Sequence, residues 1–335
     1  MSETISVPCY LVTKEGDGTF RGTVAERTTA DLPAGDVLVR VAYSSLNYKD
    51  ALSASGNPGV TRKFPHVPGI DAVGTVEASS SDAWKPGQSV IVTGHDLGQN
   101  TWGGLAGFIR VPAAWLVRLP ANLLARDAMS YGTAGLTAAQ CVEALLARGV
   151  SASPGGEVVV TGASGGVGSI AVGILARLGF NVAAVTGKPA AAELLTKLGA
   201  RTILSRKDVD DASGKPLLAQ RFIGAVDTVG GNVLTTLVKS MHRQGVVAAC
   251  GLVGGIDIQL TVYPFILRGV DLVGIDSVEC PQEQRERIWS NLGGAWSLPL
   301  LQEITTEITL GDVPTHLARL LKGEAVGRVV VKPVK

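Results

Sequence analysis

The sequence predicts an α/β protein that combines a doubly wound parallel sheet with a smaller, partly closed β domain. Three observations predict this fold class. The chain has 335 residues, a length that allows about two domains. Its first part reads as short strands separated by turns, and from Asp127 onward apolar strands alternate with helical stretches. Hydrophobic residues make up 46% of the chain, which excludes an intrinsically disordered protein.

The strands of the β domain are predicted at 37–43, 72–78, 89–93 and 105–111. The segments between them carry proline and glycine in turn-forming combinations, at 32–36, 57–59 and 85–88. A last strand at 328–331 returns to this β character, and we expect it to complete the domain.

The second part has six apolar strands, at 157–161, 181–186, 201–204, 223–227, 246–250 and 270–275. Helical character lies between them, for example at 169–178 and 190–198. Continuous apolar strands separated by helices indicate a parallel sheet that is covered on both faces. This arrangement is typical of a nucleotide-binding domain.

Charge and cysteine content limit the classes of partner. The 30 Lys and Arg residues balance 29 Asp and Glu residues, so no global field favours nucleic acid or an anionic membrane. The four cysteines are scattered, and the N-terminus lacks the pattern of a secretory signal. The apolar window 164–187 contains Arg177 and Asn181, so it does not qualify as a membrane span. We expect a cytoplasmic protein with reduced thiols and without nucleic-acid or membrane partners.

The clearest motif is a glycine-rich turn between the strand at 157–161 and the helix that follows. Gly162, Gly165 and Gly168 allow a tight turn, a close backbone approach to a pyrophosphate and close packing of helix on strand. The helix N-terminus adds unpaired N–H groups and a positive dipole. A simple tight turn is the alternative, but the strand before and the helix after favour a dinucleotide site.

The end of the next strand distinguishes NADPH from NADH. An NAD site usually has Asp or Glu about 20 residues after the glycines, to bind the ribose 2′-hydroxyl. Here the corresponding residues are Thr186, Gly187 and Lys188, without a carboxylate. We therefore expect NADPH, with Thr186, Lys188 and Arg206 at its 2′-phosphate. The alternative is that Lys188 and Arg206 are ordinary solvated charges.

A zinc-dependent dehydrogenase is the main alternative for this order of domains. No two cysteines have the spacing of a structural zinc site, which excludes such a lobe. The four histidines, His66, His95, His242 and His316, are well separated, so a catalytic zinc is not favoured either. We expect no metal, and hydride transfer to an already polarised alkene is then favoured over oxidation of an unactivated alcohol.

Several segments resemble the zinc-free branch of the medium-chain dehydrogenase/reductases. They are SLNYKD at 45–50, PGIDAVGTV at 68–76, GTAGLTA at 132–138, the glycine turn and GRVVVK at 327–332. Five others resemble the acryloyl-CoA reductase group of the quinone oxidoreductase branch: WGGLA at 102–106, DTVG at 227–230, ACGL at 249–252, PFILR at 264–268 and GIDSV at 274–278. Where zinc-dependent relatives have Gly-His-Glu, this chain has Gly69-Ile70-Asp71, and Ile70 cannot bind zinc.

This resemblance implies a GroES-like catalytic domain over 1–124 and 298–335, and an NADP-binding Rossmann domain over 125–297. It implies NADPH-dependent reduction of acryloyl-CoA to propanoyl-CoA, with hydride going to the β carbon and a proton to the α carbon. It also implies a set of cofactor contacts: Tyr48, Ser164, Gly165, Gly166, Val167, Thr186, Gly187, Lys188, Arg206, Leu252, Ile266 and Ser277.

Three side chains are candidates for the catalytic cleft. Asn47 offers an amide donor to a carbonyl or to nicotinamide, and Tyr48 a phenol that orients the ring or donates a proton. Alternatively, Asn47 caps a helix that begins at Tyr48 and Tyr48 packs in a domain interface. Asp71 is a candidate for a proton relay, or for a buried structural pair with Lys49 or Arg328. Arg328 is a candidate for a CoA phosphate contact, with a surface role as the alternative.

Two other functions and a homodimer complete the expectations. An NADPH:quinone oxidoreductase shares the cofactor and lacks a CoA site, and a non-enzymatic NADPH-binding protein of the crystallin or sensor type is the third reading. The segments 246–252 and 270–277 are candidates for edge pairing between the sheets of two copies.

Overall fold

The computed structural model describes residues 4–334, which form two compact units. Of these residues, the first unit comprises 4–133, 278–293 and 301–334, and the second comprises 134–277 and 294–300. In this division residues 278–293 group with the first unit, although the sequence places them in the Rossmann domain. The domain bounds read from the sequence stay a prediction.

The strands, in chain order, are β1 (Ser6–Lys14), β2 (Phe20–Thr28), β3 (Val37–Ser45), β4 (Asp71–Ser79), β5 (Ser89–Thr93), β6 (Phe108–Val111), β7 (Val117–Arg118), β8 (Glu157–Val160), β9 (Asn181–Val185), β10 (Ala200–Leu204), β11 (Phe222–Asp227), β12 (Met241–Ala249), β13 (Asp271–Gly274), β14 (Thr305–Thr309) and β15 (Arg328–Lys332). The α-helices are α1 (Tyr48–Ala54), α2 (Ala125–Ala147), α3 (Gly166–Arg177), α4 (Ala192–Lys197), α5 (Gly231–Lys239), α6 (Tyr263–Arg268), α7 (Gln282–Gly293) and α8 (Val313–Leu321). No helix within residues 4–334 is both long enough and apolar enough to cross a membrane.

The second unit contains a six-stranded parallel sheet in the order β10-β9-β8-β11-β12-β13. Numbered from β8, this is the Rossmann order, in which the chain reverses direction across the sheet beside the first strand. Val159, Ala183, Ala225 and Val247 stand side by side on four neighbouring strands and are buried in one core cluster. Apolar residues in matched register therefore hold the sheet that the sequence predicts.

The first unit contains a seven-stranded sheet in the order β14-β15-β3-β4-β5-β7, with β6 paired to β3 and a separate β1-β2 hairpin. Along β3, Val37, Val39 and Val41 are buried at every second position, which is the period of a half-buried strand. β15 pairs with β3 and brings residues 328–332 back into this unit. The predicted fold class, a Rossmann sheet plus a GroES-like β domain, is confirmed.

Two glycines hold the segment around Asp71 in place. Gly103 N–H donates to the Val67 carbonyl at 2.7 Å, and Gly104 N–H donates to the Gly69 carbonyl at 2.8 Å. A Cβ on Gly104 would collide with the carbonyl oxygen of Asp71. The Trp-Gly-Gly segment is therefore a close backbone contact that supports the strand carrying Asp71.

Candidate active site

The glycine turn joins β8 to α3 and is the core of the candidate dinucleotide site. Gly162 has φ +55°, a value that favours glycine, and a Cβ there would collide with Thr228 Oγ1. A Cβ on Gly168 would collide with the Gly162 carbonyl. Gly165 precedes α3, whose first turn has no acidic residue. The turn thus presents backbone N–H groups at the N-terminus of a helix, as an anion site requires.

The polar groups at the end of β9 are tied to this turn. Thr186 is buried, and its hydroxyl donates to Ser164 Oγ at 3.0 Å. The same hydroxyl accepts the backbone N–H of Lys188 at 3.1 Å, and Thr186 N–H donates to the Leu204 carbonyl. Thr186 is therefore a structural link between the turn and the loop after β9.

Arg206 lies across Gly187. It is the first residue of a short 3-10 turn, Arg206–Val209, whose preceding Ser205 hydroxyl donates to Asp208 at 2.7 Å. A Cβ on Gly187 would lie 2.5 Å from Arg206 Nε and 2.8 Å from Cζ. Both residues are exposed, so the guanidinium covers bare backbone at the strand end where a nucleotide ribose is bound in this fold. The structure brings these two predicted residues together.

Two of the other predicted cofactor residues are exposed. Leu252 lies in the loop after β12, and Ile266 lies on α6. Ser277, at the end of the second unit, is half-buried. Their exposure leaves Leu252 and Ile266 accessible to a ligand, and contact of all three with the cofactor stays a prediction.

A polar network under the turn was missed by the sequence reasoning. The buried Asp227 carboxylate accepts from Thr161 Oγ1 at 2.7 Å and from Gly230 N–H at 2.8 Å, and burial raises the pKa of this carboxyl. Thr228 N–H donates to Thr161 Oγ1 at 3.0 Å. The network joins the ends of β8 and β11, on which the turn rests. The sequence signal for this network is a polar residue at the end of each of two apolar strands, Thr161 after β8 and Asp227 in β11.

Asp71, predicted as a catalytic candidate, is fully buried in the first unit. Its carboxylate accepts from Ser45 Oγ at 2.6 Å, from Asn47 Nδ2 at 2.7 Å and from Thr133, through both the backbone N–H and the hydroxyl. Gly132, at φ +53° inside α2, allows this approach. A Cβ there would lie 2.5 Å from Ser45 Oγ, and it would also collide with Asp71.

Arg328 completes this cluster and requires a correction. Its side chain is only 4% exposed and lies 3.8 Å from Asp71 Oδ2. Its guanidinium donates to the Ser130 and Leu46 carbonyls, to Asn47 Oδ1 and to Ser45 Oγ, at 2.8–3.2 Å. The expected contact with a CoA phosphate is therefore wrong for this arrangement, and so is the surface alternative, because every guanidinium nitrogen is used inside the protein. In the structure Arg328 instead pairs with the buried Asp71.

Asn47 and Tyr48 lie at the start of α1. Asn47 is the N-cap residue, and its backbone N–H donates to Asp50 Oδ2 at 2.7 Å. The side-chain amide of Asn47 donates to Asp71 and accepts from Arg328, so its use as a donor to substrate would require breaking this arrangement. Tyr48 is 39% exposed.

Asp50 was also missed. Its carboxylate is fully buried and accepts from the backbone N–H groups of Gly69 and Ile70, at 3.0 and 2.9 Å. Burial first, and the neighbouring Asp71 second, raise the pKa of Asp50 to about 7. The Asn-x-x-Asp spacing, in which the third helical residue bonds back to the cap, is the signal that could have found it.

The residues do not fit a zinc ion. Within residues 4–334 no group of three or more His, Cys, Asp or Glu side chains is placed to hold a metal. Ile70, which stands at the position of a family ligand, is a buried hydrocarbon. No step of the chemistry is therefore assigned to a metal.

Comparison with known proteins gives consistent matches over most of the chain. The sequence model of the Alcohol dehydrogenase GroES-like domain matches residues 33–121, and that of the Zinc-binding dehydrogenase matches residues 166–292. The acrylyl-CoA reductase AcuI of Ruegeria pomeroyi is 46% identical over 318 residues, which cover 95% of this chain and 96% of that protein.

Two solved structures are closely similar. The yhdH oxidoreductase of Salmonella enterica, in complex with NADP, has 46% identity and a TM-score of 0.94, over 98% of this chain and 100% of that one. The Bacillus subtilis protein yhfP, with NAD bound, has 43% identity and a TM-score of 0.95, over 98% and 100%. In sequence YhfP is 45% identical over 91% of this chain and 92% of its own, and is described as a putative quinone oxidoreductase.

Proposed function

Since this chain belongs to the medium-chain dehydrogenase/reductase family, in the group of acrylyl-CoA reductases, we propose that it reduces the activated C=C bond of acryloyl-CoA to propanoyl-CoA with NADPH. The observation that carries this proposal is the likeness to an acrylyl-CoA reductase over 95% of the chain. When bound, NADPH supplies the hydride that is added to the β carbon. The residues of this chain bind and orient the two reactants.

The second unit supplies the cofactor site. The N–H groups of the glycine turn and the start of α3 bind the pyrophosphate. Arg206, held over Gly187, pairs with the 2′-phosphate, and Thr186 and Lys188 border it. The arginine and the missing carboxylate favour NADPH, and the Salmonella enterica relative was crystallised with NADP. Rates with NADPH and NADH measure the preference, since the Bacillus subtilis relative has NAD bound.

The first unit supplies Tyr48 as the accessible catalytic candidate. Its phenol is a donor for the thioester oxygen, which gains negative charge as hydride is added, or for the α carbon. Asn47, Asp71 and Arg328 act behind it as positioning residues, because their polar groups are bonded to one another at the start of α1. Arg328 is thus proposed to hold Asn47, and not to bind CoA.

A comparison of acceptors tests this function. With NADPH, acryloyl-CoA should be turned over with a higher kcat/KM than 1,4-benzoquinone. A quinone rate far above the CoA-ester rate would establish the second candidate, which the likeness to the putative quinone oxidoreductase YhfP favours. No turnover with either acceptor would support the non-enzymatic reading.

Substitution tests the role of Tyr48. In Tyr48→Phe the kcat for acryloyl-CoA should fall by about 10²-fold, the lower end of a general-acid contribution. Asn47→Ala should lower kcat and stability together, because the buried Asp71 loses a donor. Full turnover in both variants would remove these residues from the chemistry.

We also propose that the protein is a homodimer through the second unit. β13 is an edge strand of the six-stranded sheet and pairs only with β12 within residues 4–334. Before it in sequence, the loop after β12 and α6 expose six large apolar side chains that are not predicted cofactor contacts: Val253, Ile256, Ile258, Val262, Tyr263 and Leu267. Exposed apolar clusters of this kind mark protein interfaces, and an open strand edge pairs with a second copy.

Light scattering coupled to gel filtration measures this state. Ile256→Asp should dissociate the dimer, whereas Leu124→Asp, at a similarly exposed position of the first unit, should not. A monomeric wild type would contradict the proposal. The cytoplasmic location, and the expected lack of nucleic-acid and membrane partners, stay predictions.

A further inference from the structure

The carboxylate of Asp50 joins two distant segments of the first unit. Its Oδ2 accepts the backbone N–H of Asn47, the residue that precedes α1, at 2.7 Å. Its Oδ1 accepts the backbone N–H groups of Gly69 and Ile70, at 3.0 and 2.9 Å. Asp50 is itself a residue of the first turn of α1 and is fully buried. One oxygen is therefore used at the helix start, and the other on the segment that leads into β4.

The segment that donates to Asp50 is tightly packed. Gly69 has φ +114°, and a Cβ there would lie 2.5 Å from the backbone nitrogen of Leu105. A Cβ on Gly98 would lie 2.6 Å from the carbonyl carbon of Gly69. The Gly69 carbonyl also accepts the N–H of Gly104. Three stretches of backbone thus meet at Gly69 without free space between them, and they give Asp50 a fixed point of attachment.

The start of α1 needs such an attachment because the helix is short. It comprises only Tyr48–Ala54, and an isolated helix shorter than about 12–15 residues is marginal in water. Its later part is held separately, since the hydroxyl oxygens of Ser53 and Thr61 are 2.7 Å apart. Tyr48 is the first residue of the helix and is exposed. Its position therefore depends on the contacts made by its neighbours in the chain.

Tyr48 lies between two attachments to the same segment. On one side the Asn47 amide donates to Asp71 at 2.7 Å. On the other side Asp50 accepts from the two residues that directly precede Asp71. Two attachments fix the position of the intervening residue and the direction of its side chain, whereas a single attachment leaves the chain free to turn.

We propose that Asp50 is a positioning residue for Tyr48, and that it acts by holding the start of α1 against residues 69–71. This proposal rests on the proposed function, in which the Tyr48 phenol is a donor to the reacting thioester. Asp50 is fully buried and both of its oxygens are bonded inside the first unit, so it acts through Tyr48 and not on the substrate. Loss of its carboxylate should lower kcat, while NADPH binding in the second unit stays unchanged.

Asp50→Asn tests this role with little change of size. Asparagine has one acceptor oxygen, so its NH₂ group has to face a backbone N–H. The kcat for acryloyl-CoA should fall about tenfold, since a misplacement of about 1 Å can cost 10²-fold, and KM for NADPH should not change. Asp312→Asn is the matched control, because Asp312 accepts from the Thr309 N–H in the same capping arrangement but is exposed. Full kcat in Asp50→Asn, or an equal loss in Asp312→Asn, would overturn the proposal.

A double-mutant cycle separates positioning from a general structural role. If Asp50 acts through the Tyr48 phenol, Asp50→Asn should have almost no further effect on kcat in the Tyr48→Phe background. The same fold loss in both backgrounds would assign Asp50 a structural role only and would overturn the proposal. So would full turnover of Tyr48→Phe. If Asp50→Asn does not fold, Asp50→Ser removes the carboxylate without adding an amide donor and should show the same pattern.

Hydrogen–deuterium exchange with mass spectrometry measures the attachment without turnover. Peptides that contain residues 47–51 and 68–71 should exchange faster in Asp50→Asn than in the wild type or Asp312→Asn, while peptides of the six-stranded sheet should not change. Unchanged exchange at both segments would overturn the proposal. If the wild type turns over neither acryloyl-CoA nor a quinone, the proposed function is wrong, while the exchange result still decides whether Asp50 holds the start of α1.

Discussion

We expect Arg206 to select NADPH over NADH. We expect Gly187, which lacks a side chain, to allow the Arg206 guanidinium to lie against the backbone. Replacing Gly187 by alanine places a Cβ 2.5 Å from Arg206 Nε, whereas ordinary contacts begin at 3.4 Å. The guanidinium therefore has to retreat by about 0.9 Å. Both residues are exposed, so this movement should change the free energy of unfolding by no more than about 0.5 kcal/mol.

The size of the effect follows from the phosphate contact. A hydrogen bond to a charged group contributes about 1.5–3 kcal/mol, which corresponds to about 10- to 150-fold in affinity. Arg206→Met should lower kcat/KM for NADPH by this factor, while kcat/KM for NADH changes little. Gly187→Ala should lose part of it, about 3- to 10-fold, because a displaced arginine still reaches the phosphate with less favourable geometry.

Steady-state kinetics with both cofactors, combined in a double-mutant cycle, measures the coupling. If Gly187→Ala acts by displacing the guanidinium, it should have almost no effect in the Arg206→Met background. Arg201→Met is the matched control, because Arg201 is also exposed but lies near the start of β10, at the opposite end of the strand. The reasoning is refuted if Arg206→Met leaves the NADPH preference intact, or if the alanine acts equally in both backgrounds.

Three further outcomes can be measured by urea denaturation. Gly132→Ala should destabilise the protein by at least about 1–2 kcal/mol, the cost of a left-handed backbone, to which the collision with Ser45 and Asp71 adds; a wild-type midpoint would contradict this. Arg328→Met should cost about 3–5 kcal/mol, because it leaves Asp71 as a buried charge without its partner, and a loss below 1 kcal/mol would speak against the ion pair. Burial, and secondarily the nearby Arg285, lowers the pKa of His95 from 6.5 to about 4. Between these two pH values the imidazole is protonated in the unfolded chain but neutral in the folded protein. Stability should therefore fall as the pH drops through this window, and His95→Gln should flatten the slope; an unchanged slope would place the acid sensitivity elsewhere.

The glycine turn of the proposed dinucleotide site could be predicted because its determinants are local. The turn from Gly162 to Gly168 is a continuous segment between one strand and one helix. The spacing of its glycines in the sequence already indicates where the backbone needs a residue without a side chain. Arg206 was proposed because a cation after the third strand is a recurrent position for a 2′-phosphate, and its contact with the phosphate stays a prediction. The sequence did not reveal that the guanidinium lies across Gly187, since that contact joins two loops.

The cluster around Asp71 could be predicted only in part because its members are not local. Ser45, Asp71, Thr133 and Arg328 come from β3, β4, α2 and β15, and only the folded strands bring them together. For Arg328 the sequence reasoning offered a buried pair with Asp71 as one alternative, but it also kept a CoA contact and a solvated position open. An arginine in an alternating strand near the end of a chain is usually solvated, and the carboxylate that allows its burial is remote in sequence.

This difference in locality also explains why the cofactor class is easier to assign than the acceptor. Relatives of nearly equal identity to this chain are described as an acrylyl-CoA reductase and as a putative quinone oxidoreductase. They share the fold, so the fold cannot separate the two acceptors. Acceptor choice depends on a few side chains on different segments, and a difference of one methylene in an apolar pocket changes discrimination by only about 1–3 kcal/mol. Kinetics across a series of enoyl-CoA chain lengths therefore tests the side chains that select the acceptor, which do not lie in one continuous sequence motif.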